Sequence, residues 1–471
     1  MTAALFPMLS SCGQRAGSSN SLLDPDAVKK FKSRFSGHII LPGDAEYEAR
    51  RWSGEINPTM DKHPTIIARC KKEEDILRSV DFARQYQLEI AVRSGNHSGM
   101  GWGTCEKGMV IDLSQMKGIT VDAAKGTATV TTGVTAEEIL ATTAPYGLTP
   151  VLGQCGSVGS GLALGGGLGW LAGKYGATCD NLISANIITA EAEKRKANAT
   201  TNDDLYWAIR GGGGNFGIAS SFEYKLHPVK EMLGGSFFYS SNNARAVIRF
   251  FNEFMATAPD ELQADCYLTR DKCWVEFVHF GDLDAGERLL DTFRRLHKPD
   301  QDSVKRRPFS ELYRMNVGEP STPVKFNSGK GTYVEQLSDG VIELVLDRLG
   351  KAPQVGSVFY VLSHYMHGEV CRILPDATAF ELRKPGGVHL AFVVTWQDSA
   401  DAVACLTWIN ETFDQLQDYS GGRIYTNYMS VPGGPTAKAV FGTNFSRLAQ
   451  IKKKYDPNNI FHLNQNILPS Q

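Results

Sequence analysis

The sequence predicts an α+β protein of two domains. Between Pro64 and Pro228, short runs rich in β-branched residues alternate with helical stretches, as in PTIIARC followed by KEEDILRSVDFARQYQ. Between about residue 235 and residue 420, longer helical patterns such as NARAVIRFFNEFM alternate with strands such as VHLAFVVTW. This second pattern is typical of a sheet covered by helices. A chain of 471 residues is too long for one typical domain and suits two.

The remaining elements follow from the same periodicities, taken in chain order. In the first part, the predicted strands are EIAVRS, MVIDL, TATVTTG and NIITAE, and the predicted helices are TAEEILATTAPYG and DDLYWAIR. In the second part, the strands are CWVEFVHF and VFYVLSHYM, and the helices are AGERLLDTFRRL, LSDGVIELVLDRL and DAVACLTWINETFDQL. The closing segments RIYTNYMSV and YDPNNIFHLNQNI carry aromatic and amide side chains unlike those helices, and we interpret the first as a strand. The predicted domains are 25–235, 236–420 and a C-terminal segment, 421–471, that returns to the first domain.

Composition excludes several classes of function. The net charge is -2, with 49 basic and 51 acidic residues spread along the chain, so we expect neither nucleic acid nor a membrane surface as a partner. No apolar run is long enough to span a bilayer. The nine cysteines lack the paired spacings of a zinc site or a disulfide scaffold, so no metal is expected. The first 22 residues fit either a shortened export signal or a disordered start, which leaves cytoplasmic and exported locations open.

A tight turn follows the strand EIAV. It contains Arg93, Ser94, Gly95, Asn96, His97 and Ser98. Small residues at the end of a strand present successive backbone N–H groups to an anion, and Arg93 adds a fixed charge, so a diphosphate would fit there. The alternative is an ordinary turn with a surface histidine.

Two glycine clusters come later in the chain. The first, GQCGSVGSGLALGGGLG from Gly153 to Gly169, allows the backbone to approach a flat ligand closely; the alternative is a packing junction with an inert thiol at Cys155. The second, RGGGGNFGI, contains Gly212-x-Gly214-x-x-Gly217, which formally matches the dinucleotide fingerprint. It follows a predicted helix and precedes a predicted strand, the reverse of the order that this fingerprint requires, so a Rossmann fold is excluded.

Six motifs together resemble one known family. They are RSGNHS, GQCGSVGSG, GGGLGWLAGKYGATCDNL, DDLYWAIRGGGGNFGI, IYTNY and YDPNNIFHLNQ. In this order and spacing they resemble the berberine bridge enzyme-like branch of the FAD-linked oxidases in the vanillyl-alcohol oxidase superfamily. The resemblance covers roughly residues 50–235 and 420–468. It implies a PCMH-type FAD-binding domain of two subdomains, joined to a substrate domain whose antiparallel sheet is covered by helices.

The resemblance also implies the roles of single residues. His97 matches the histidine that attaches to the 8α carbon of the flavin, with Asn96 where the family usually has glycine; asparagine tolerates the left-handed backbone best among other residues. Cys155 matches the cysteine that attaches to carbon 6, and a plain thiol beside a singly attached flavin is the alternative. Val158 matches the aliphatic residue that admits dioxygen in the oxidase type. The further cofactor contacts implied are Gly156, Gly159, Gly161, Leu162, Gly217, Ile218 and Asn427.

The motif Tyr-x-Asn-Tyr, residues 425–428, contains the best candidates for the catalytic base. We expect either Tyr425 or Tyr428 to take the substrate proton, with a pKa lowered from about 10 by a neighbouring positive group. The tyrosine that follows the triple glycine in plant relatives is replaced by Leu168. His364, His367 and His389 are further candidates for the base, although each is more often an ordinary histidine.

The expected activity is oxidation of a small alcohol, amine or sugar-like substrate by bicovalently bound FAD, with dioxygen as acceptor and hydrogen peroxide as product. Three alternatives remain. A carbohydrate oxidase would use an open groove lined by tryptophans, chosen from Trp102, Trp170, Trp274 and Trp396. A dehydrogenase would use another acceptor, and a flavin-binding carrier or sensor would not turn over. The chain is expected to act as a monomer or homodimer.

Overall fold

The computed structural model describes seven stretches of the chain. They are residues 23–52, 61–98, 100–296, 298–315, 325–355, 357–428 and 437–471. Among these residues, none of the helices has the length and apolar character needed to cross a membrane. The predicted strands and helices form in the predicted order, with the exception of the segment around Tyr425.

The first sheet is mixed and has four strands in the described residues. They are β1 (His38–Ile40), β2 (Ile66–Arg69), β3 (Ile90–Arg93) and β4 (Met109–Asp112), with helices α1 (Pro25–Ser33), α2 (Tyr47–Arg50) and α3 (Glu73–Gln85). The order is β1-β2-β4-β3, and β2 and β3 run parallel to β4. This register places Arg93 directly opposite Asp112 at the ends of β3 and β4.

The second sheet is antiparallel. Its strands are β5 (Ile119–Asp122), β6 (Thr127–Thr131), β8 (Leu182–Ile188), β9 (Lys194–Asn198) and β10 (Ile218–Lys225), in the order β5-β6-β10-β8-β9, while β7 (Leu148–Thr149) pairs with β11 (His227–Pro228). Helices α4 (Ala136–Thr143), α5 (Ala172–Tyr175) and α6 (Asp203–Ala208) lie between them. The second glycine cluster connects α6 to β10, which confirms the helix-to-strand order that excludes a Rossmann fold.

The third sheet is the largest. Its strands are β12 (Glu231–Ser240), β13 (Leu262–Leu268), β14 (Lys272–His279), β15 (Gln301–Asp302), β16 (Lys305–Pro308), β17 (Phe326–Val334), β18 (Ser357–Ser363) and β19 (Val388–Trp396). The order is β15-β12-β14-β13-β18-β19-β17, with β16 beside β12, and every pairing is antiparallel. The accompanying helices are α7 (Ala244–Met255), α8 (Leu283–Leu296), α9 (Asp339–Gly350), α10 (Glu369–Arg372) and α11 (Ala402–Ser420).

Helices cover one face of the third sheet. Phe277 of β14 packs against Phe293 of α8, and Phe392 of β19 packs against Trp408 of α11. Successive side chains of a strand point to opposite faces, so the residues next to these aromatics point away from the helices. We call this second surface the open face of the sheet. It faces the glycine clusters of the first part of the chain.

The end of the chain packs against the second glycine cluster. Helices α12 (Ala437–Phe441) and α13 (Phe445–Tyr455) precede it. The ammonium group of Lys452 on α13 is fully buried and donates to Asp456 Oδ2 (2.6 Å) and to the carbonyls of Asn215 (2.7 Å) and Phe461 (2.9 Å). The Asn215 side chain in turn bonds the backbone of Gln465 and Ile467. The domain division at 235 and 420 remains a prediction.

Candidate active site

A cavity of about 1000 Å³ lies between the glycine clusters and the open face of the third sheet. This volume is at the upper end of the range for small-molecule sites, roughly 300–1,000 Å³. Of the predicted cofactor residues, those that line it are Arg93, Ser94, Gly95, Asn96, His97, Ser98, Cys155, Val158, Gly159, Gly161, Leu162, Gly217, Ile218 and Asn427. Gly156 faces Glu137 and Tyr313 and is not among the lining residues.

The turn after β3 packs directly against the first glycine cluster. A Cβ atom on Gly95 would collide with the backbone of Gly159, and the reverse also holds, so both positions require glycine. Asn96 has φ +61°, the left-handed conformation that the sequence predicted for it. The close contact brings two segments that are about 60 residues apart in the chain to one end of the cavity.

Arg93 forms an ion pair with an acid on the neighbouring strand. Its Nε and Nη2 atoms donate to Asp112 Oδ2 at 3.1 and 2.8 Å, and its Nη1 atom donates to the carbonyl of Trp52. The Arg93 guanidinium lowers the pKa of Asp112, although burial alone would raise it. Arg93 therefore joins the ends of β3 and β4 at the cavity wall, and its contact with a phosphate remains a prediction.

His97 and Cys155 lie on either side of one hydroxyl group. His97 Nε2 is 2.9 Å from Ser157 Oγ, and Cys155 Sγ is 3.2 Å from the same oxygen. The His97 side chain is exposed and that of Cys155 is half-buried, in contrast to Cys179, which is fully buried. The two side chains predicted to attach the flavin are thus close together at the cavity wall.

The cavity wall fits FAD on two further observations. A Cβ atom on Gly161 or Gly214 would meet no atom within 4 Å, so the backbone there faces open space. Buried polar atoms at the same wall, Asn96 Oδ1, Asn464 Oδ1 and Gln465 Nε2, have no hydrogen-bond partner among the described residues. Bare glycines and unpartnered polar groups are what a flat, polar cofactor requires of its site.

Tyr425 is not among the residues that line the cavity, and its phenol oxygen accepts several hydrogen bonds. Its phenol oxygen accepts from the backbone N–H groups of Gly167 (3.1 Å) and Leu168 (2.8 Å) and from Asn427 Nδ2 (2.9 Å). The segment Thr426–Tyr428 is a turn of 3-10 helix, so the strand predicted here is wrong. The hydrogen bonds to the Tyr425 phenol stabilise this turn and fix the triple-glycine segment beside it.

Tyr428 lines the cavity and contacts two histidines. Its phenol oxygen is 3.2 Å from His364 Nε2, and its ring centroid is 4.1 Å from that of His389. Burial lowers the pKa of His364 to about 3 and also lowers that of His389, so both imidazoles are neutral. Burial raises the pKa of both Tyr425 and Tyr428, opposite to the lowering that the sequence suggested, because desolvation outweighs the hydrogen bonds that lower the pKa of Tyr425.

Comparison with known proteins supports the resemblance found in the six motifs. The model of the FAD binding domain matches residues 64–198, and that of berberine and berberine-like proteins matches residues 424–468. An FAD-linked oxidoreductase of Dictyostelium discoideum is 29% identical over 94% of this chain and 97% of its own length. These matches indicate an FAD-linked oxidoreductase that is similar to the berberine bridge enzyme-like proteins. The fold class and the family resemblance predicted from the six motifs are confirmed.

A sequence match and a structure match both carry the name of a small-molecule oxidase. (R)-6-hydroxynicotine oxidase of Paenarthrobacter nicotinovorans is 27% identical over 92% of this chain and 97% of its own. The crystal structure of 6-hydroxy-D-nicotine oxidase from Arthrobacter nicotinovorans matches with a TM-score of 0.82 and 28% identity, covering 93% of this chain and 98% of that one. The chain is thus similar to these enzymes along nearly its whole length.

Sequence analysis missed the polar residues on the open face of the third sheet. Asp265 and Tyr267 on β13, and Glu276 on β14, alternate with apolar residues that face the helices. This alternation in LQADCYL and CWVEFVHF was the available signal, although it does not show which residues meet across the strands. Of the four tryptophans considered, Trp102 and Trp274 line the cavity, while Trp170 and Trp396 are buried in hydrophobic clusters.

Proposed function

We propose that this oxidoreductase is an oxidase that holds FAD by two covalent bonds, through His97 and Cys155, and oxidises a small alcohol, amine or sugar-like molecule. The observation that carries the proposal is the Ser157 hydroxyl, which contacts both His97 Nε2 and Cys155 Sγ. One flat ring system in the cavity can reach both atoms only if they lie this close together. The family resemblance assigns the 8α carbon to His97 and carbon 6 to Cys155.

The surrounding residues would position the cofactor. The bare backbone at Gly161 and Gly214 provides room for it, and the amides of Asn464 and Gln465 provide polar contacts. Bound FAD supplies the acceptor for a hydride from the substrate and the route by which electrons pass to dioxygen. Val158 lines the cavity, which supports dioxygen as the acceptor and hydrogen peroxide as the product.

The substrate proton is assigned to Tyr428 and His364. Tyr428 is at the cavity wall, whereas the phenol of Tyr425 is bonded by Gly167 and Leu168. A phenol with a raised pKa is a poor base by itself, but it can accept the substrate proton while it passes its own to a neutral imidazole. His364 Nε2, 3.2 Å away, would take that proton only while the phenol accepts another, because burial lowers the pKa of His364 to about 3. The two side chains together would act as the general base.

The deciding experiment is acid precipitation of the purified protein, followed by absorbance and fluorescence spectra of the washed and dissolved pellet. A yellow pellet with weak flavin fluorescence is expected, because a thioether at carbon 6 quenches the emission of a covalently bound flavin. A yellow, strongly fluorescent pellet would leave His97 as the attachment site and remove Cys155. A colourless pellet with FAD in the supernatant would remove both bonds.

A further inference from the structure

A pair of carboxyl groups is buried on the open face of the third sheet. Asp265 on β13 lies directly opposite Glu276 on β14 in the antiparallel register. The relative exposures of Asp265 and Glu276 are 0% and 3%. Two acids at opposed positions repel one another when ionised, and burial adds the cost of removing them from water. Such a pair lowers the stability of the folded protein, so its presence requires an explanation.

The two acids have different surroundings. The backbone N–H of His364 donates to Asp265 Oδ1 at 3.2 Å, and the side chains of Gln154 and Tyr267 lie next to the same carboxyl. Burial and the neighbouring Glu276 raise the pKa of Asp265 well above its usual range. Asp265 is therefore the neutral member of the pair, held between the sheet and the residue that precedes Cys155.

Glu276 is the member that faces the cavity. It lines the cavity wall, and its Oε1 atom has no hydrogen-bond partner among the described residues. Burial raises its pKa to about 7, while the Tyr267 hydroxyl and, more weakly, Arg307 lower it. At neutral pH this carboxyl is close to the balance between its two forms, so a cation in the cavity would ionise it fully.

Aromatic rings complete the surroundings of Glu276. Tyr267 and Trp274 stack with their ring centroids 5.0 Å apart and their planes 2° from parallel, and both line the cavity. Trp274 is two residues from Glu276 on the same strand and therefore shares its face of the sheet. A tryptophan face attracts cations, most strongly where water is excluded. A buried carboxylate beside stacked aromatic rings is a site for an organic cation.

We propose that Glu276 and Trp274 bind a protonated amine, so that the substrate of this enzyme carries an organic ammonium group. The proposal rests on the proposed function only in taking this cavity to be the substrate site. The ammonium group donates to Glu276 Oε1 and lies beside the stacked rings of Tyr267, Trp274 and Phe238. Neutral sugars and anionic substrates do not supply the charge that this site requires, so the structure favours amines among the substrate classes considered.

The test compares two ligands of the same shape and different charge. They are 2-phenylpropan-2-amine, protonated at pH 8, and 2-phenylpropan-2-ol, and neither has a hydrogen on the carbon that bears the polar group, so neither is oxidised there. Isothermal titration calorimetry of the flavin-containing enzyme gives both dissociation constants. The ammonium ligand is expected to bind at least about tenfold more tightly, since a charge-assisted hydrogen bond contributes about 1.5–3 kcal/mol.

Variants identify the residue responsible. Glu276→Gln should abolish the preference for the ammonium ligand while leaving the affinity for the alcohol unchanged. The matched control is Glu231→Gln, an exposed acid at the start of β12, which should keep the full preference. If Glu276→Gln does not fold, the wild-type comparison alone decides the question.

The possible results separate this inference from the proposed function. Equal dissociation constants for the two ligands, binding of neither, or a preference that survives in Glu276→Gln would overturn the cation site. If the acid pellet of the same protein is yellow, these outcomes would leave the proposal of a covalent flavin unaffected. A colourless pellet from a protein that still prefers the ammonium ligand would overturn the covalent attachment and retain the cation site.

Discussion

Tyr428 and His364 form a hydrogen-bonded pair at the cavity wall, with 3.2 Å between the phenol oxygen and Nε2. Tyr425, three residues earlier, has the same side chain and a different partner set, the backbone of Gly167 and Leu168. The structure thus distinguishes two tyrosines that the Tyr-x-Asn-Tyr motif presents as equivalent. Tyr428 lines the cavity, and Tyr425 holds the glycine segment.

Replacing these tyrosines one at a time should separate the two roles. Tyr428→Phe is expected to lower kcat by about 10²–10⁴-fold, the usual contribution of a general base, with little change in thermal stability. Tyr425→Phe leaves two buried N–H groups without their acceptor and should cost about 1–3 kcal/mol in the free energy of unfolding. Steady-state kinetics and thermal unfolding measure both effects. Loss of turnover only in Tyr425→Phe would reverse the assignment.

Intact mass spectrometry under denaturing conditions can count the covalent bonds. The wild type, His97→Ala and Cys155→Ala should each retain the mass of FAD, because one attachment suffices. The double variant should lose it. Cys179→Ala, at a fully buried cysteine, is the control and should behave as the wild type. A flavin mass on the double variant would place the attachment at other residues.

The backbone at Asn96 gives a prediction about the turn that carries His97. Because Asn96 has φ +61°, Asn96→Gly should preserve both stability and flavin content. Asn96→Val should destabilise the protein by about 1–2 kcal/mol and reduce covalent flavin, since a β-branched side chain opposes this conformation. Thermal unfolding and the visible spectrum report the two properties. Equal behaviour of the two variants would show that the turn relaxes.

Glu276 makes stability depend on pH in a specific direction. Its pKa is raised from 4.5 to about 7 in the folded protein, so the unfolded chain loses the Glu276 proton more readily than the folded protein does. The free energy of unfolding is therefore highest below pH 4.5 and falls as the pH rises toward 7. Glu276→Gln removes this loss. The difference in the free energy of unfolding between variant and wild type should grow in favour of the variant by about 3 kcal/mol from pH 4.5 to pH 8. Denaturant titrations at the two pH values, with Glu231→Gln as control, measure it.

The buried ion pair of Lys452 and Asp456 should be far more important than an exposed one. Lys452→Met leaves Asp456 buried without its cation and is expected to cost about 3–5 kcal/mol. Lys454, two residues after Lys452, forms an exposed ion pair with Asp204. Lys454→Met removes this pair and should lower the free energy of unfolding by less than about 1 kcal/mol. Chemical denaturation compares the two. Similar losses would mean that the buried pair is compensated by its other hydrogen bonds.

The local parts of the site could be predicted from the sequence because their chemistry is local. Glycines that allow close contact, the left-handed Asn96, and His97 and Cys155 within short motifs all lie in segments whose conformation depends on neighbouring residues. The helices α3 and α11 and the strands β14 and β19 likewise followed from periodicity.

Other parts depend on the way distant segments meet. The pairing of Arg93 with Asp112 comes from the parallel register of β3 and β4, and that of Asp265 with Glu276 from the register of β13 and β14. The turn at Tyr425 forms because its phenol reaches Gly167 and Leu168, more than 250 residues away in sequence. No motif encodes these contacts. The burial that raises the pKa of Tyr425 and Tyr428 depends on them, so the direction of these shifts could not be predicted from the sequence.

The bonds from Asn215 to the backbone of Gln465 and Ile467 join segments about 250 residues apart. During synthesis, the second glycine cluster leaves the ribosome long before the residues that close its side of the cavity. The wall formed by Asn464 and Gln465 can therefore assemble only after these residues have been synthesised, about 250 residues later than the glycines that they face. A complete cavity for the cofactor thus forms after the first two sheets have been synthesised.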